Sequence, residues 1–428
     1  MRRDELIDLL AVAAGISKNA ARKLLSELAS IAIREVKRGN KFVLPGLGKM
    51  VRIYRRGRTS RNPQTGEPIT IQSKMIVKFF VDNKIKNLIS GKIRKPRKSR
   101  KSLRPVVRIF YATDREPHPR NRTQFGSRRS STGTLHLGTC DVSIPRDHRM
   151  GKIERPSILR LELTENPEKH FVIKEIAEKT SEEFYLQLSK RVRESNGTEA
   201  FVFIHGFRVT FADAVYRTAQ IAYDLAFTGA PILYSWPSNG KLYEYIGDVN
   251  NNDWTTDHLK VFLAELASRS GAKVIHLIAH SMGNRALVNA LNLMVTGASQ
   301  PTPHFSQIVL TAPDIDADLF VRMAKVIRTT SDRITLYASN HDRALGASKK
   351  LNGSYPRAGD SQTVVVVQGV DTIDASAVDT NLIGHFYYAE NRSVLSDIFN
   401  LLRDGSPPEK RFGIRLVPSV PPYWRFAP

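Results

Sequence analysis

Residues 92–105, KIRKPRKSRKSLRP, hold eight Lys or Arg, two Pro and no acid. Such a run cannot bury a core, and its like charges hold it extended. The chain must therefore fold on either side of it, as residues 1–91 and residues 106–428, joined by a basic tether free to touch phosphates. A length of 428 residues, too great for one ordinary core, fits that division.

Charge is split just as unevenly. Residues 1–105 carry 27 Lys or Arg against 7 Asp or Glu and supply most of the formal net charge of +24. A field so one-sided suits a polyanion, of which nucleic acid is the commonest; solubility alone would not require such concentration. A hydrophobic content of 41% with 25% charged residues is that of a globular protein. The single cysteine, Cys140, excludes an internal disulfide and fits a reducing cytoplasm. The opening MRRDELIDLL places acids where the apolar centre of an export signal would lie, and no apolar run approaches the length of a membrane span. A cytoplasmic location is expected.

In residues 1–91 the periodicity predicts a helix over 4–14, stopped by Gly15, and a second beginning after Ser17 as N-cap and ending at Gly39. Short strands follow at 41–44 and 49–54 around a Pro45–Gly48 turn, with a further strand at 74–80 and a last short helix from Asp82. Between them RRGRTSRNPQTGEPITI is too polar to bury, yet alternates on its return at Ile69 and Ile71. It reads as a protruding β-arm with Thr65-Gly66 at its tip. Two helices and a small sheet make a thin core, so an intertwined homodimer is expected.

These residues resemble the HU/IHF family of bacterial nucleoid proteins. The resemblance rests on ELIDLLAVAAGISKNAA, LPGLGKM and above all GRTSRNPQTGEPITI. It implies an α+β DNA-binding fold whose arm enters the minor groove of double-stranded DNA with little sequence preference. Pro63 would be the wedge that kinks a base step, Asn62 would hold the tip, and Arg55, Arg56, Arg58 and Arg61 would meet phosphates or line the groove. As an isolated tetrapeptide Pro63-Gln64-Thr65-Gly66 is an ordinary turn; its place between basic strands gives it the second meaning. Leu47, Met50 and the segment FFVDNKIK depart from the family's pattern.

From residue 106 apolar runs alternate with amphipathic stretches, the pattern of an α/β domain with a largely parallel sheet. Strands are predicted at 200–204, 231–235, 273–278, 307–311, 333–337 and 363–367. Helices are predicted at 181–193, 211–227, 256–268, 283–293 and 392–402. Within KVIHLIAHSMGNRALVNAL a strand ends at Ile278, Ala279–Gly283 turns tightly, and a helix starts. Small residues at 279 and 283 allow the sharp turn that a nucleophile elbow needs, with Ser281 at its apex. The plainer reading of Ser281 is a polar helix cap. Upstream, FVFIHGF ends a strand with His205-Gly206.

A nucleophilic serine needs a histidine base, and the base an orienting acid. Downstream of Ser281 stand His304, His341 and His385; His385, just before the last helix, falls where an α/β-hydrolase delivers its base, while His304 lies in a Pro-rich loop and reads as a surface residue. For the acid, Asp342 follows the strand at 333–337. Asp314 competes from the preceding strand's end, with Asp316 a weaker alternative; capping the helix at 317–326 is the plainer role for Asp314. Tyr234-Ser235-Trp236-Pro237 and Tyr243 read equally as pocket mouth or as core aromatics.

The segment as a whole resembles an uncharacterised bacterial α/β-hydrolase family. RIFYATDRE, TCDVSIPRDHRMGKIERP, FIHGFRVTF, LYSWPSNG, the elbow, TAPDID, YASNHDRAL and GHFYY carry the resemblance. It implies a triad of Ser281, His385 and Asp342, with the backbone amides of Phe207 and Met282 forming the oxyanion hole. The substrate class it implies is a small acyl ester, thioester or amide. No metal or organic cofactor is expected, since the sequence shows neither a His-rich ligand pattern nor a Gly-rich phosphate loop. The reading is a DNA-associated serine hydrolase at the nucleoid. Its rival is an architectural DNA-binding protein with a silent hydrolase-fold appendage.

Overall fold

The computed structural model describes residues 3–39, 41–44, 47–55, 58–61, 68–81, 104–118, 121–156, 165–195, 197–239, 245–297, 302–340, 345, 348, 353, 355–378 and 391–427. The chain divides into two compact units. One comprises Met1–Leu103 with Arg155–Asn166, the other Arg104–Glu154 with Pro167–Pro428.

In the first unit α1 (Arg3–Ala14) and α2 (Lys18–Lys37) are joined through Gly15, whose φ of 65° only glycine adopts without strain. Ser17 caps α2 by accepting from the Ala20 N–H at 3.2 Å. Strands β1 (Phe42–Leu44), β2 (Gly48–Arg55) and β5 (Lys74–Val81) form an antiparallel sheet in the order β1-β2-β5. Strands β3 (Arg58–Arg61) and β4 (Pro68–Ile71) pair antiparallel by themselves, Arg61 opposite Pro68, so the expected arm is a two-stranded ribbon. The helix expected from Asp82 lies outside the described residues. The buried centre is small: Ile7, Ala11 and Ala21, with Leu10, Ile16 and Leu25 packed against them. Val12, Leu24, Val77 and Phe79 stay largely exposed.

The second unit is built on one eleven-stranded sheet. Its parallel centre runs β6 (Val106–Thr113), β12 (Ala230–Ser235), β11 (Glu199–Ile204), β13 (Val274–His280), β14 (Phe305–Thr311), β15 (Ser331–Ala338) and β16 (Val370–Asp374). Antiparallel β9 (His136–Ser143) and β10 (Val172–Lys179) extend one side. On the other, β18 (Tyr423–Phe426) pairs with β16 and carries β17 (Ile414–Val417). A hairpin of β7 (Arg115–His118) and β8 (Asn121–Arg129) stands apart. One face is covered by α3 (Ser181–Glu194), α5 (Tyr245–Arg269), α6 (Gly283–Thr296) and α7 (Ala317–Ile327), whose Phe184, Leu259, Leu287 and Phe320 are fully buried. The other is covered by α4 (Phe211–Asp224) and α8 (Arg392–Asp404) through Val215 and Leu401.

Two predicted elements differ most from the fold. Residues 364–367 are not a strand: Val365 and Val367 are buried as a loop that turns at Gly369, φ 85°, and the strand is Val370–Asp374. The helix expected to begin at Thr256 begins at Tyr245, because its first turns bury polar rather than apolar groups. Asp248 and Asn252 are fully enclosed, and Asp248 accepts from the Ser238 hydroxyl at 2.5 Å and the Asn239 N–H at 3.0 Å.

Candidate active site

Strand β13 runs two residues beyond its expected end, because Ala279 and His280 still pair with Leu310 and Thr311 of β14. Ser281 follows at once with φ 52°, a left-handed conformation strained for a serine, and α6 starts two residues later. The strain is held from several sides. The Ser281 N–H donates to Thr311 O at 3.0 Å, and Ser281 O accepts from the N–H groups of Asn284 at 3.1 Å and Asp314 at 3.2 Å. The Asn284 side-chain amide donates to both Ser281 O and Thr311 O at 2.9 Å. These bonds hold the Ser281 backbone in its left-handed conformation, and the N-cap position of α6 falls to Met282, whose side chain makes no capping bond.

The turn after β11 lies directly against this elbow. A Cβ at Gly206 would sit 2.7 Å from Ser281 Cβ, and one at Gly283 would sit 2.4 Å from His205 O. Each glycine makes room for the other segment's backbone. The backbone N–H groups of Phe207 and Met282 belong to the two facing segments, one in the turn after β11 and one between Ser281 and α6.

His205 is 1% exposed and lies under this turn. Its Nδ1 is 2.8 Å from Gly206 O and its Nε2 3.1 Å from a terminal nitrogen of Arg115. Trp236 stacks on the ring at 5.1 Å and donates from Nε1 to His205 O at 2.7 Å. Burial and the Arg115 charge hold the imidazole well below its ordinary pKa, so it stays neutral. Arg115 is itself fully enclosed; burial lowers its pKa to about 10, against the opposing influence of Asp114, Asp248 and Asp213, and it remains cationic at neutral pH. Arg115 has no role legible in the sequence alone. Its signal was a charged residue at the end of the first strand, in ATDRE, where a core would not be expected to hold one.

Asp314 does not cap α7; Asp316 does, accepting from the Leu319 N–H at 3.0 Å. The Asp314 carboxylate is instead enclosed next to the elbow. It accepts from Tyr245 Oη at 2.9 Å and Ser348 Oγ at 2.5 Å and pairs with Arg357 Nε at 3.1 Å. Tyr245, Ser348 and Arg357 were missed in sequence because each is polar in a stretch without periodicity. Tyr234 and Trp236 prove to be fully buried core aromatics. His304 is a surface residue paired with Asp332 at 2.8 Å. Asp342, His341, His385 and Tyr243 lie outside the described residues. So do Arg56, Asn62 and Pro63 of the arm; Arg55, Arg58 and Arg61 lie on β2 and β3.

A strained serine where a strand meets a helix, in an open sheet with a parallel centre, defines an α/β-hydrolase domain, here on one chain with a two-helix, β-armed module. Residues 180–404, more than half the chain, match "Alpha/beta hydrolase of unknown function (DUF900)", and residues 1–90 match "Bacterial DNA-binding protein". The chain belongs to that α/β-hydrolase family and, through its N-terminal unit, to the HU proteins. DNA-binding protein HU-beta 2 of Neisseria meningitidis serogroup A is 35% identical over 91 residues, 21% of this chain and 100% of that protein. HU-beta of Escherichia coli K12 is 34% identical over 90 residues, with the same coverage. A solved Anabaena HU–DNA cocrystal structure is 28% identical, covers 21% of this chain and 98% of that chain, and gives a TM-score of 0.19. Among the described residues no helix is long and apolar enough to cross a membrane.

Proposed function

We propose that this protein is a serine hydrolase held on DNA by its HU-like unit. The observation that carries the enzymatic half is the left-handed Ser281, locked at φ 52° between β13 and α6 against the Gly206 turn. In this reading Ser281 Oγ attacks an acyl carbonyl while His385 accepts its proton. The amides of Phe207 and Met282 stabilise the oxyanion. His385 then returns the proton to the leaving group, and water, deprotonated by the same imidazole, releases the acyl group and restores Ser281. Asp342 holds the His385 tautomer. The full engagement of Asp314 by Tyr245, Ser348 and Arg357 supports Asp342 over Asp314 for that task. The substrate is a small ester, thioester or amide.

For the other half, the names of the HU relatives and the paired arm strands support binding of double-stranded DNA. Arg55, Arg56, Arg58 and Arg61 neutralise phosphates, Asn62 shapes the tip, and Pro63 wedges a base step in the minor groove. The exposed Val12, Leu24, Val77 and Phe79 support a homodimer through this unit, and the similarity to HU proteins supports a location at the nucleoid. A fluorophosphonate probe tests the enzyme: labelling of the full chain, lost in Ser281→Ala, is expected. An unlabelled wild-type chain would leave an architectural protein with a silent hydrolase fold.

A further inference from the structure

The oxyanion hole is made of backbone, so nothing in its own side chains decides which way its amides point. The turn after β11 shows what does. Arg115 Nε donates to Ser235 Oγ at 2.9 Å, its two terminal nitrogens donate to Gly126 O, Ser238 O and Val209 O at 2.8–3.1 Å, and one of them also meets His205 Nε2 at 3.1 Å. A guanidinium has no acceptor. The Nε2 it meets must present a lone pair, so the single proton of the neutral ring is on Nδ1. Ser235, which accepts from Arg115, has its own hydroxyl proton for the same Nε2 at 3.2 Å. Nδ1–H in turn has Gly206 O at 2.8 Å. The Gly206–Phe207 peptide is planar and trans, so holding its carbonyl on the imidazole side turns the Phe207 N–H to the opposite side. A Cβ at Gly206 would lie 2.7 Å from Ser281 Cβ, so the two segments approach closely here.

We propose that Arg115 and His205 are positioning residues for the oxyanion hole: Arg115 fixes the His205 proton on Nδ1, and that N–H holds the Gly206 carbonyl so that the Phe207 amide faces the oxyanion formed at Ser281. The proposal rests on the serine-hydrolase reading. The stacked Trp236 and its bond to His205 O fix the ring and the preceding peptide, leaving the proton position as the remaining degree of freedom. The pair acts through geometry alone and touches no substrate.

Two measurements on the full chain test it. In histidine-labelled protein, ¹⁵N resonances assigned by loss in His205→Asn should show a neutral, Nδ1-protonated ring in wild type; Arg115→Met should abolish that single state. An Nε2-protonated ring in wild type overturns the proposal, whether or not the protein hydrolyses anything. With p-nitrophenyl acetate, His205→Leu should lower kcat by about 10²- to 10³-fold at nearly unchanged KM, the loss associated with one oxyanion donor. His205→Asn, whose amide nitrogen replaces Nδ1 as donor, should recover to within about tenfold of wild type. Equal loss in Leu and Asn variants, or no loss in either, overturns it. A wild-type chain without esterase activity or probe labelling overturns the hydrolase reading and with it the oxyanion role, whereas an Nε2-protonated ring in an active enzyme overturns the positioning role alone.

Discussion

The two units solve the problem of a functional surface in opposite ways. The HU-like unit spends its sequence outside: among the described residues its core cluster is a handful of side chains, Val12, Leu24, Val77 and Phe79 remain exposed, and two paired strands form its arm. The hydrolase unit spends its sequence inside, where even the candidate nucleophile is 2% exposed and an arginine lies fully enclosed against a histidine. On the function proposed above, the first is completed by a partner, whereas the second holds its chemistry by internal constraint. Mutations should therefore act differently on the two: graded and salt-dependent at the arm, abrupt around Ser281.

The largest effect should come from Ser281→Ala, which is expected to lower kcat by about 10⁴-fold or more while leaving DNA affinity unchanged. Ester hydrolysis and gel-shift titration on the same preparation check both. Substitution of Gly283 by Ala, which would drive a Cβ to 2.4 Å from His205 O, should reduce hydrolysis by about 10²-fold through displacement of the turn that faces the serine. Retained activity in this variant would show that the two backbones need not touch.

A third test concerns the dimer. Sedimentation should show the full chain as a dimer, and Phe79→Glu should give a monomer that binds DNA at least tenfold more weakly yet still hydrolyses ester. A wild-type monomer that binds DNA tightly would remove the contrast between the units.

Stability against pH offers a fourth test, confined to the hydrolase unit. His148 is flanked by Glu154 at 2.9 Å and Asp224 at 2.8 Å. Burial lowers its pKa, but the two carboxylates outweigh this and raise it to about 9. A raised imidazole pKa stabilises the fold fully below about 6.5, and the contribution is lost as pH rises through about 9. The hydrolase unfolding temperature should fall over that interval, and the fall should flatten in His148→Gln. That variant should itself cost about 3 kcal/mol at pH 6, having left two carboxylates without their cation. The smallest effects belong to the arm: Arg58→Ala and Arg61→Ala should each reduce the slope of log affinity against log salt by about one, and Pro63→Ala should diminish bending more than binding. A slope unchanged by either arginine would remove the arm from the interface.

How far the sequence revealed this follows from what each signal measures. Local chemistry was readable: Ser17 as cap, the Gly15 and Gly39 stops, the paired arm strands and the elbow all depend on residues near in sequence. Enclosed polar groups were not. Asp248 and Asn252 hid the first turns of α5, Val365 and Val367 looked like a strand because buried loops can also be apolar, and Asp314 looked like a cap because its partners, Tyr245 and Arg357, are distant in the chain. Arg115 is the extreme case. Nothing local could reveal that its hydrogen bonds reach Gly126, His205, Val209, Ser235 and Ser238.

The family match and the sheet have different limits. The match spans 180–404, whereas β6, β9 and β10 precede it and β17 and β18 follow it. Anyone excising the catalytic half along the family's borders would strip strands from both sides and leave raw edges open to aggregation. A soluble fragment should instead run from about residue 104 to the C-terminal strand pair.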